Sequence, residues 1–229
     1  MNACKKYLPA GVILLAAVCI LGMTVKKHEV ERSVPTSSRD HEVSEAPRVA
    51  LTFDDGPDCC YTSQMLDGLR ERGVKATFFL QGQCLQGNEH VVEQMQKDGH
   101  LIGNHTYHHV QLTKLSDDSA KEEIVKTSNA IYEITGEYPI YIRPPYGSWK
   151  EGLDLAVTMI PVLWTIDSRD WETQNTAEIL KAVLPKVQDG SIILMHDGYR
   201  TSVEAAMRIV DELKGEGYQF VTVDRLIEE

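Results

Sequence analysis

From Arg48 onward the chain alternates short runs of β-branched and aromatic residues with longer stretches in which apolar residues return every three or four positions. The short runs predict strands over 49–53, 76–80, 101–104, 141–143, 162–166, 191–195 and 220–223. The longer ones predict amphipathic helices over 61–72, 89–97, 117–134, 149–159, 177–188 and 202–214. Gly73, Gly99, Gly136, Gly190 and Gly215 fall where those helices should stop, at positions where a left-handed cap favours a residue without a Cβ. Strands and helices alternating so regularly imply an α/β fold with a parallel sheet and helices outside, either doubly wound and open or closed into a barrel. Both arrangements gather functional groups at the C-terminal ends of the strands. No glycine-rich phosphate loop opens any of the helices, which weighs against a nucleotide site.

The pattern changes upstream. Lys5 and Lys6 precede a run from residue 8 to residue 25 that carries no charge. It ends without an Ala-x-Ala-like cleavage site, so it reads as a signal anchor over 1–25 in preference to a removed signal peptide. At ~1.5 Å per residue it spans about 27 Å, enough for a thin hydrocarbon core. Residues 26–47 are charged and contain Ser and Pro without apolar periodicity, as a flexible linker does. The domain proper is then 48–229, expected outside the cell and tethered to its membrane, or secreted if the segment is cut. The net charge is −11, and residues 1–48 hold seven basic against five acidic side chains, so the domain carries the acidity. Such a surface has no broad attraction for phosphate backbones, and nucleic acid is not an expected partner. Cys59, Cys60 and Cys84 lie in loops of the domain; a bridge from one of the vicinal pair to Cys84 and three free thiols are both open readings.

Unusual polar residues follow the strands: Asp54-Asp55-Gly56-Pro57, His105 to His109, Arg143-Pro144-Pro145-Tyr146-Gly147, Asp167 to Trp171, and His196-Asp197. Two adjacent carboxylates at a strand end repel one another unless a cation or a donor neutralises them; the alternative is an Asp-Gly-Pro turn with one Asp bonding local backbone. His105 and His109 are four apart, which places both imidazoles on one face if the segment turns helically, while His108 faces elsewhere and reads as structural. With Asp55 they make a two-His, one-carboxylate set that leaves positions open for water and substrate. Zinc is the default ion for hydrolysis at such a set, and Co, Ni, Mn or Fe are accepted by the same ligand types. A non-haem iron oxygenase also uses this set, but that reading gives no work to Asp54, Arg143 or His196.

In chain order, TFDDGP, HTxxH, RPPYG, DSxDW and LxH resemble the motifs of the polysaccharide deacetylases, the NodB-like carbohydrate esterase family 4, over residues 47–226. The resemblance implies a distorted (β/α)7 barrel of TIM-like design and a divalent metal. It implies hydrolysis of acetyl groups from N-acetylglucosamine polymers or, in some members, from O-acetylated xylan. Matched position by position, Asp55, His105 and His109 resemble the metal ligands and Asp54 the general base, with Arg143 as its orienter. The Tyr146 backbone N–H resembles an oxyanion donor, with Pro144 before it on the substrate side. His196 resembles the general acid oriented by Asp170, and Trp171 and Leu194 the walls of an acetyl pocket, while Asp167 and Asp197 match no direct role. The expected partner is an acetylated glycan; peptidoglycan is favoured because a short tether presents the domain to what lies against the membrane. Chito-oligosaccharides and acetylxylan are the alternatives, as is a glycan-binding protein without catalysis, and a monomer is expected.

Overall fold

The computed structural model describes residues 46–155 and 158–227. The expected anchor over 1–25 and nearly all of the linker lie outside the described residues. Among those described, no helix is long and apolar enough to cross a membrane.

β1 (Arg48–Asp54) is the axis of the fold because six of its seven residues are buried, so both of its faces and both of its edges need cover. On one edge it pairs in parallel with β7 (Ser191–His196) along almost its whole length. On the other its C-terminal half meets β2 (Thr77–Leu80), and its first two residues meet β8 (Gln219–Phe220). The ladder continues through β3 (Leu101–Asn104), β4 (Tyr141–Ile142) and β5 (Ile160–Pro161) on one side and β6 (Ile166–Asp167) on the other, giving the order β5-β4-β3-β2-β1-β7-β6. Every pairing is parallel. The strands curl into a half-barrel, and among the described residues no pairing joins β5 to β6. The expected barrel is therefore present as an incompletely closed one.

Helices α1 (Tyr61–Glu71), α2 (Glu89–Lys97), α3 (Asp117–Thr135), α5 (Thr176–Val183) and α6 (Arg200–Gly215) follow the predicted order, with short helices α4 (Asp170–Thr173) and α7 (Val223–Ile227) in addition. Met65, Leu66 and Leu69 of α1 and Ala206, Ile209 and Val210 of α6 are buried in one cluster with Leu51, Phe53, Phe78 and Met195 of the sheet. Phe53 stacks on Phe78 with centroids 5.1 Å apart. Each large side chain so buried contributes about 2 kcal/mol of transfer free energy, offset in part by the entropy of ordering the chain. α3 starts at Ser116, whose hydroxyl accepts the Ser119 N–H, and stops at Gly136 with φ 74°.

Several elements differ from the sequence expectation. The helix expected over 149–159 does not form in its described part; Gly152 turns with φ 74°, and Trp149, Leu153, Leu155 and Met159 pack irregularly against Leu112, Ile124 and Ile142. Apolar spacing there reflects burial on one side without helical periodicity. The strand expected over 162–166 does not form: residues 162–165 lie between β5 and β6 and only Ile166 joins a strand, while that over 220–223 gives β8, with Val223 already opening α7. α5 ends early because Pro185 has no N–H to continue it, and a 3₁₀ turn over Leu184–Lys186 takes its place. Gly215 lies inside α6, and the left-handed position after that helix is Gly217, with φ 90°.

Candidate active site

β1 delivers two carboxylates to the C-terminal face of the sheet and then separates them. Asp54 ends the strand nearly fully buried, while Asp55 adopts φ 77° and turns its side chain into an open cleft. The loop beyond runs close over Asp197: a Cβ on Gly56 would sit 2.3 Å from Asp197 Oδ2, so only glycine fits. Thr62 in the first turn of α1 donates to that same oxygen at 2.7 Å and accepts the Asp58 N–H at 2.7 Å, tying the loop to the helix. Burial raises Asp197 to about 7, with the Thr62 hydrogen bond opposing.

The histidine loop after β3 is not helical, and the two imidazoles meet for a different reason from the one expected. Thr106 and His109 adopt φ 63° and 54°, which folds the loop back on itself. Two side chains template that shape. Asn104 accepts the Thr106 N–H at 2.8 Å; Glu123 of α3 accepts the N–H groups of Tyr107 at 3.0 Å and His108 at 2.8 Å and pairs with the His108 ring at 2.7 Å. His108 is thus a structural residue pointing away from the cleft's imidazoles. His105 Nδ1 lies 2.6 Å from the Arg143 carbonyl, which only accepts, so Nδ1 carries the proton and the Nε2 lone pair faces the cleft. His105 Nε2 and His109 Nε2 are each 3.5 Å from Asp55 Oδ1.

One atom each from Asp55, His105 and His109 lie within 4.8 Å of one another. One oxygen and two nitrogens around a common point, with one ring's tautomer already set for ligation, fit a borderline divalent cation. Gln81 adds a donor to Asp55 Oδ1 at 2.6 Å. Burial opposes the Asp55 charge, but the hydrogen bond and charge of His105, with His196 and His109 behind it, hold its carboxyl well below the usual range. Burial, and the neighbouring His105, push His109 down.

Arg143 is fully buried, and each of its three guanidinium nitrogens donates to a fixed acceptor. Nη1 donates to Asp54 Oδ1 at 2.9 Å and to Thr52 Oγ1 at 2.7 Å. Nε and Nη2 donate to the carbonyls of Val162 and Leu163, each at 3.2 Å. Those carbonyls lie in the gap between β5 and β6, where no ladder claims them: the stretch without strand structure is what houses the guanidinium. The Phe79 ring lies 4.4 Å from its Cζ. Burial lowers the Arg143 pKa below its ordinary value, with the charge and hydrogen bond of Asp54 opposing.

On the far side of the cleft, Asp170 begins α4, fully buried, and accepts from His196 Nδ1 at 2.7 Å, the His196 N–H at 2.8 Å, the Ser202 hydroxyl at 2.6 Å and the Trp171 N–H at 3.0 Å. Burial resists the charge on His196, but the bond to Asp170 and its charge outweigh that and lift it to about 9. His196 Nε2 then points at Asp55 Oδ2, 4.0 Å away.

A family model described as polysaccharide deacetylase matches residues 41–160. The chain belongs to that family. The peptidoglycan-N-acetylglucosamine deacetylase PgdA of Listeria monocytogenes is 38% identical over 199 residues, covering 86% of this chain and 43% of that protein. The structure of the peptidoglycan deacetylase PdaC from Bacillus subtilis superimposes with a TM-score of 0.77 at 40% identity, covering 80% of this chain and 91% of the solved one. A family 4 acetyl xylan esterase from Clostridium thermocellum, solved with a cobalt ion, gives a TM-score of 0.74 at 34% identity over 79% of this chain and 90% of that one. The chain spans less than half the length of PgdA and of full-length PdaC.

Within this polysaccharide deacetylase domain, the cleft of about 480 Å³ is lined by nine of the residues nominated from sequence: Asp54, Asp55, His105, His109, Pro144, Tyr146, Trp171, Leu194 and His196. Arg143 and Asp170 are buried behind it, against Asp54 and His196. Tyr146 adopts φ 60° and packs edge-on to His109 at 4.9 Å. All six non-glycine residues with positive φ among the described residues (Asp55, Thr106, His109, Tyr146, Arg169 and Gln174) lie in the loops that build this face or beside them. Backbone strain of that kind, about 1–3 kcal/mol each, persists where the surroundings over-determine it. Gln81, Trp164, Ser202 and the Thr62–Asp197 pair were not foreseen. Trp164 alone left a signal, as a large aromatic beside a strand end. Asp167, given no direct role, also lines the cleft. Cys59, Cys60 and Cys84 are free thiols.

Proposed function

We propose that the chain is a metal-dependent hydrolase that removes N-acetyl groups from cell-wall glycan, with the N-acetylglucosamine of peptidoglycan as substrate. The observation that carries this is the convergence of Asp55, His105 and His109 between two acid–base groups each held by a buried partner, Asp54 on Arg143 and His196 on Asp170. The names of PgdA and PdaC support the substrate. Asp55, His105 and His109 would hold the ion, which, when bound, acidifies water and polarises a carbonyl.

The chain's own residues supply the rest. Asp54, oriented by the Arg143 hydrogen bond, takes the proton from the attacking water. As the water oxygen bonds to the acetyl carbon, charge gathers on the carbonyl oxygen, and the Tyr146 N–H is the backbone donor assigned to it. The C–N bond breaks only if the departing nitrogen gains a proton. His196, lifted to about 9, is charged at neutral pH and hands over that proton from Nε2, while Asp170 keeps Nδ1 engaged. Trp171 and Leu194 enclose the methyl. Residues 1–25 as an anchor and 26–47 as a tether would place this chemistry outside the membrane.

The test is mass spectrometry of purified peptidoglycan fragments before and after incubation with the chain and a defined divalent metal. The expected result is loss of acetyl mass from N-acetylglucosamine, abolished by chelation. Unchanged fragments with every metal tried would overturn the proposal, and acetate release from acetylxylan alone would move it to the esterase reading that the Clostridium thermocellum likeness favours.

A further inference from the structure

Asp55, His105 and His109 stand on two different loops, and their side chains are not held alike. His105 is locked through Nδ1 by the Arg143 carbonyl at 2.6 Å. Asp55 starts from a looser position: its backbone turns at φ 77°, and its side chain is 39% exposed, so a carboxylate there could rotate into solvent. Gln81, which follows β2 and lies outside the five ordered motifs, supplies the missing restraint. It is only 8% exposed, and its Nε2 donates to Asp55 Oδ1 at 2.6 Å. That oxygen is the one facing both imidazoles, 3.5 Å from His105 Nε2 and from His109 Nε2. A carboxylate oxygen has two lone pairs, so one can take the amide hydrogen and leave the other for the space between the rings.

The amide is itself oriented. An ionised carboxylate only accepts, so Gln81 must turn its NH2 group to Asp55 and its carbonyl away, and Gln83 Nε2 donates to that carbonyl at 2.8 Å. The backbone of the same segment reaches both ligand loops. The Gln81 N–H donates to the Gly56 carbonyl at 2.9 Å, one residue past Asp55, and the N–H groups of Gly82 and Gln83 donate to the carbonyls of Thr106 and Tyr107, each at 3.0 Å. A Cβ on Gly82 would come within 2.3 Å of the Tyr107 ring, so the segment and the histidine loop are packed as closely as a backbone allows. Residues 81–83 therefore form a strut between the Asp55 turn and the histidine loop, and Gln81 is the residue of that strut whose side chain touches a ligand.

We propose that Gln81 is a positioning residue of the metal centre: its amide presets the Asp55 carboxylate to receive a divalent cation together with His105 and His109. This rests on the reading of those three residues as the ion's ligands. Ordering the carboxylate during folding removes that entropic cost from the binding step, and a hydrogen bond on the ligand oxygen tunes how strongly it donates to the ion.

The test is Co²⁺ binding to the full chain, measured by competition with a chromophoric chelator and by the visible absorption of the bound ion. It is run beside urea unfolding of the metal-free chain and acetate release from a soluble chito-oligomer. Gln81→Met, close in size but without a donor, is expected to weaken Co²⁺ binding roughly tenfold and to shift the absorption bands, with the urea midpoint little changed. Gln83→Ala, at an exposed position, frees the Gln81 amide without removing it and is expected to weaken binding by a smaller factor. Affinity equal to the parent's in Gln81→Met, or in Gln83→Ala should Gln81→Met not fold, overturns the positioning role and leaves the ligand set standing. Weaker binding with unshifted bands also overturns it, because Gln81 would then act through the packing of the loops alone. A parent that binds Co²⁺ and loses it in Gln81→Met, yet releases no acetate, leaves Gln81 in place and sinks the hydrolase reading. A parent that holds no divalent ion overturns the ligand set and the role of Gln81 together.

Discussion

The two halves of the sheet are built differently. Around β1, β2, β3 and β7 the strands run four to seven residues, and the ladders are in continuous register. Around β4, β5 and β6 they are two residues each, joined by ladders of only one or two pairs. The regular half presents Asp54, Asp55, His105 and His196 at its strand ends, as a periodic sheet does for any group placed at its rim. The irregular half supplies what a regular strand could not: carbonyls free to receive a guanidinium, and the reversed backbone of Tyr146. Rigidity positions the ligands, and broken regularity provides unclaimed backbone groups.

The strongest challenge to that division is Asp55→Ala, at the regular edge. It is expected to bring acetate release to background and to abolish retention of divalent metal on dialysis, with circular dichroism unchanged; retained metal would mean that the ligand set lies elsewhere. Arg143→Ala probes the irregular half. Removing the guanidinium leaves Asp54 buried without its partner, and urea unfolding should show a loss of about 3–5 kcal/mol. Arg143→Lys keeps the charge but cannot reach Asp54, Thr52 and two carbonyls together, so its stability should fall between.

A third test joins the halves through His196 on β7 and Asp170 on α4. With His196 at about 9, its proton is present below that pH, so amide hydrolysis should fall as pH rises through about 9. Asp170→Asn removes the charge that lifts the imidazole, and this limb should move to lower pH. The stability linkage has the same sign: the pair's contribution is complete below the ordinary histidine value of 6.5 and is lost as pH rises through about 9. A limb unmoved in Asp170→Asn would remove His196 as proton donor. The smallest effect lies in the regular half: Gly217→Ala, at φ 90°, should cost about 1 kcal/mol, whereas Gly215→Ala, inside α6, should be neutral or slightly stabilising. Equal effects at both glycines would place the end of α6 elsewhere.

What could be read from the sequence follows the same division. The regular strands and long helices were legible because burial on both faces of β1, or on one face of α3, writes a periodic pattern into the chain. The nominated cleft residues were legible because they follow strand ends in ordered motifs. The absence of a strand over 162–165 was not, since Val162, Leu163 and Ile166 are apolar whether or not their backbone joins a ladder. Residues 149–159 misled for a related reason, packing Trp149, Leu153 and Met159 against a core with no helix among the described residues there. Nor could the sequence show that Glu123, far along α3, shapes the loop of His105 and His109, or that the turn there is set by positive φ at Thr106. Long-range hydrogen bonds to backbone leave no local signature.

The seat of Arg143 has an evolutionary corollary. Its contacts at positions 162 and 163 are made to main-chain oxygens, which every amino acid possesses, so substitutions there leave the acceptors in place provided the gap persists. Leu163, half exposed, is therefore free to drift in size and polarity without disturbing the charge that steadies Asp54.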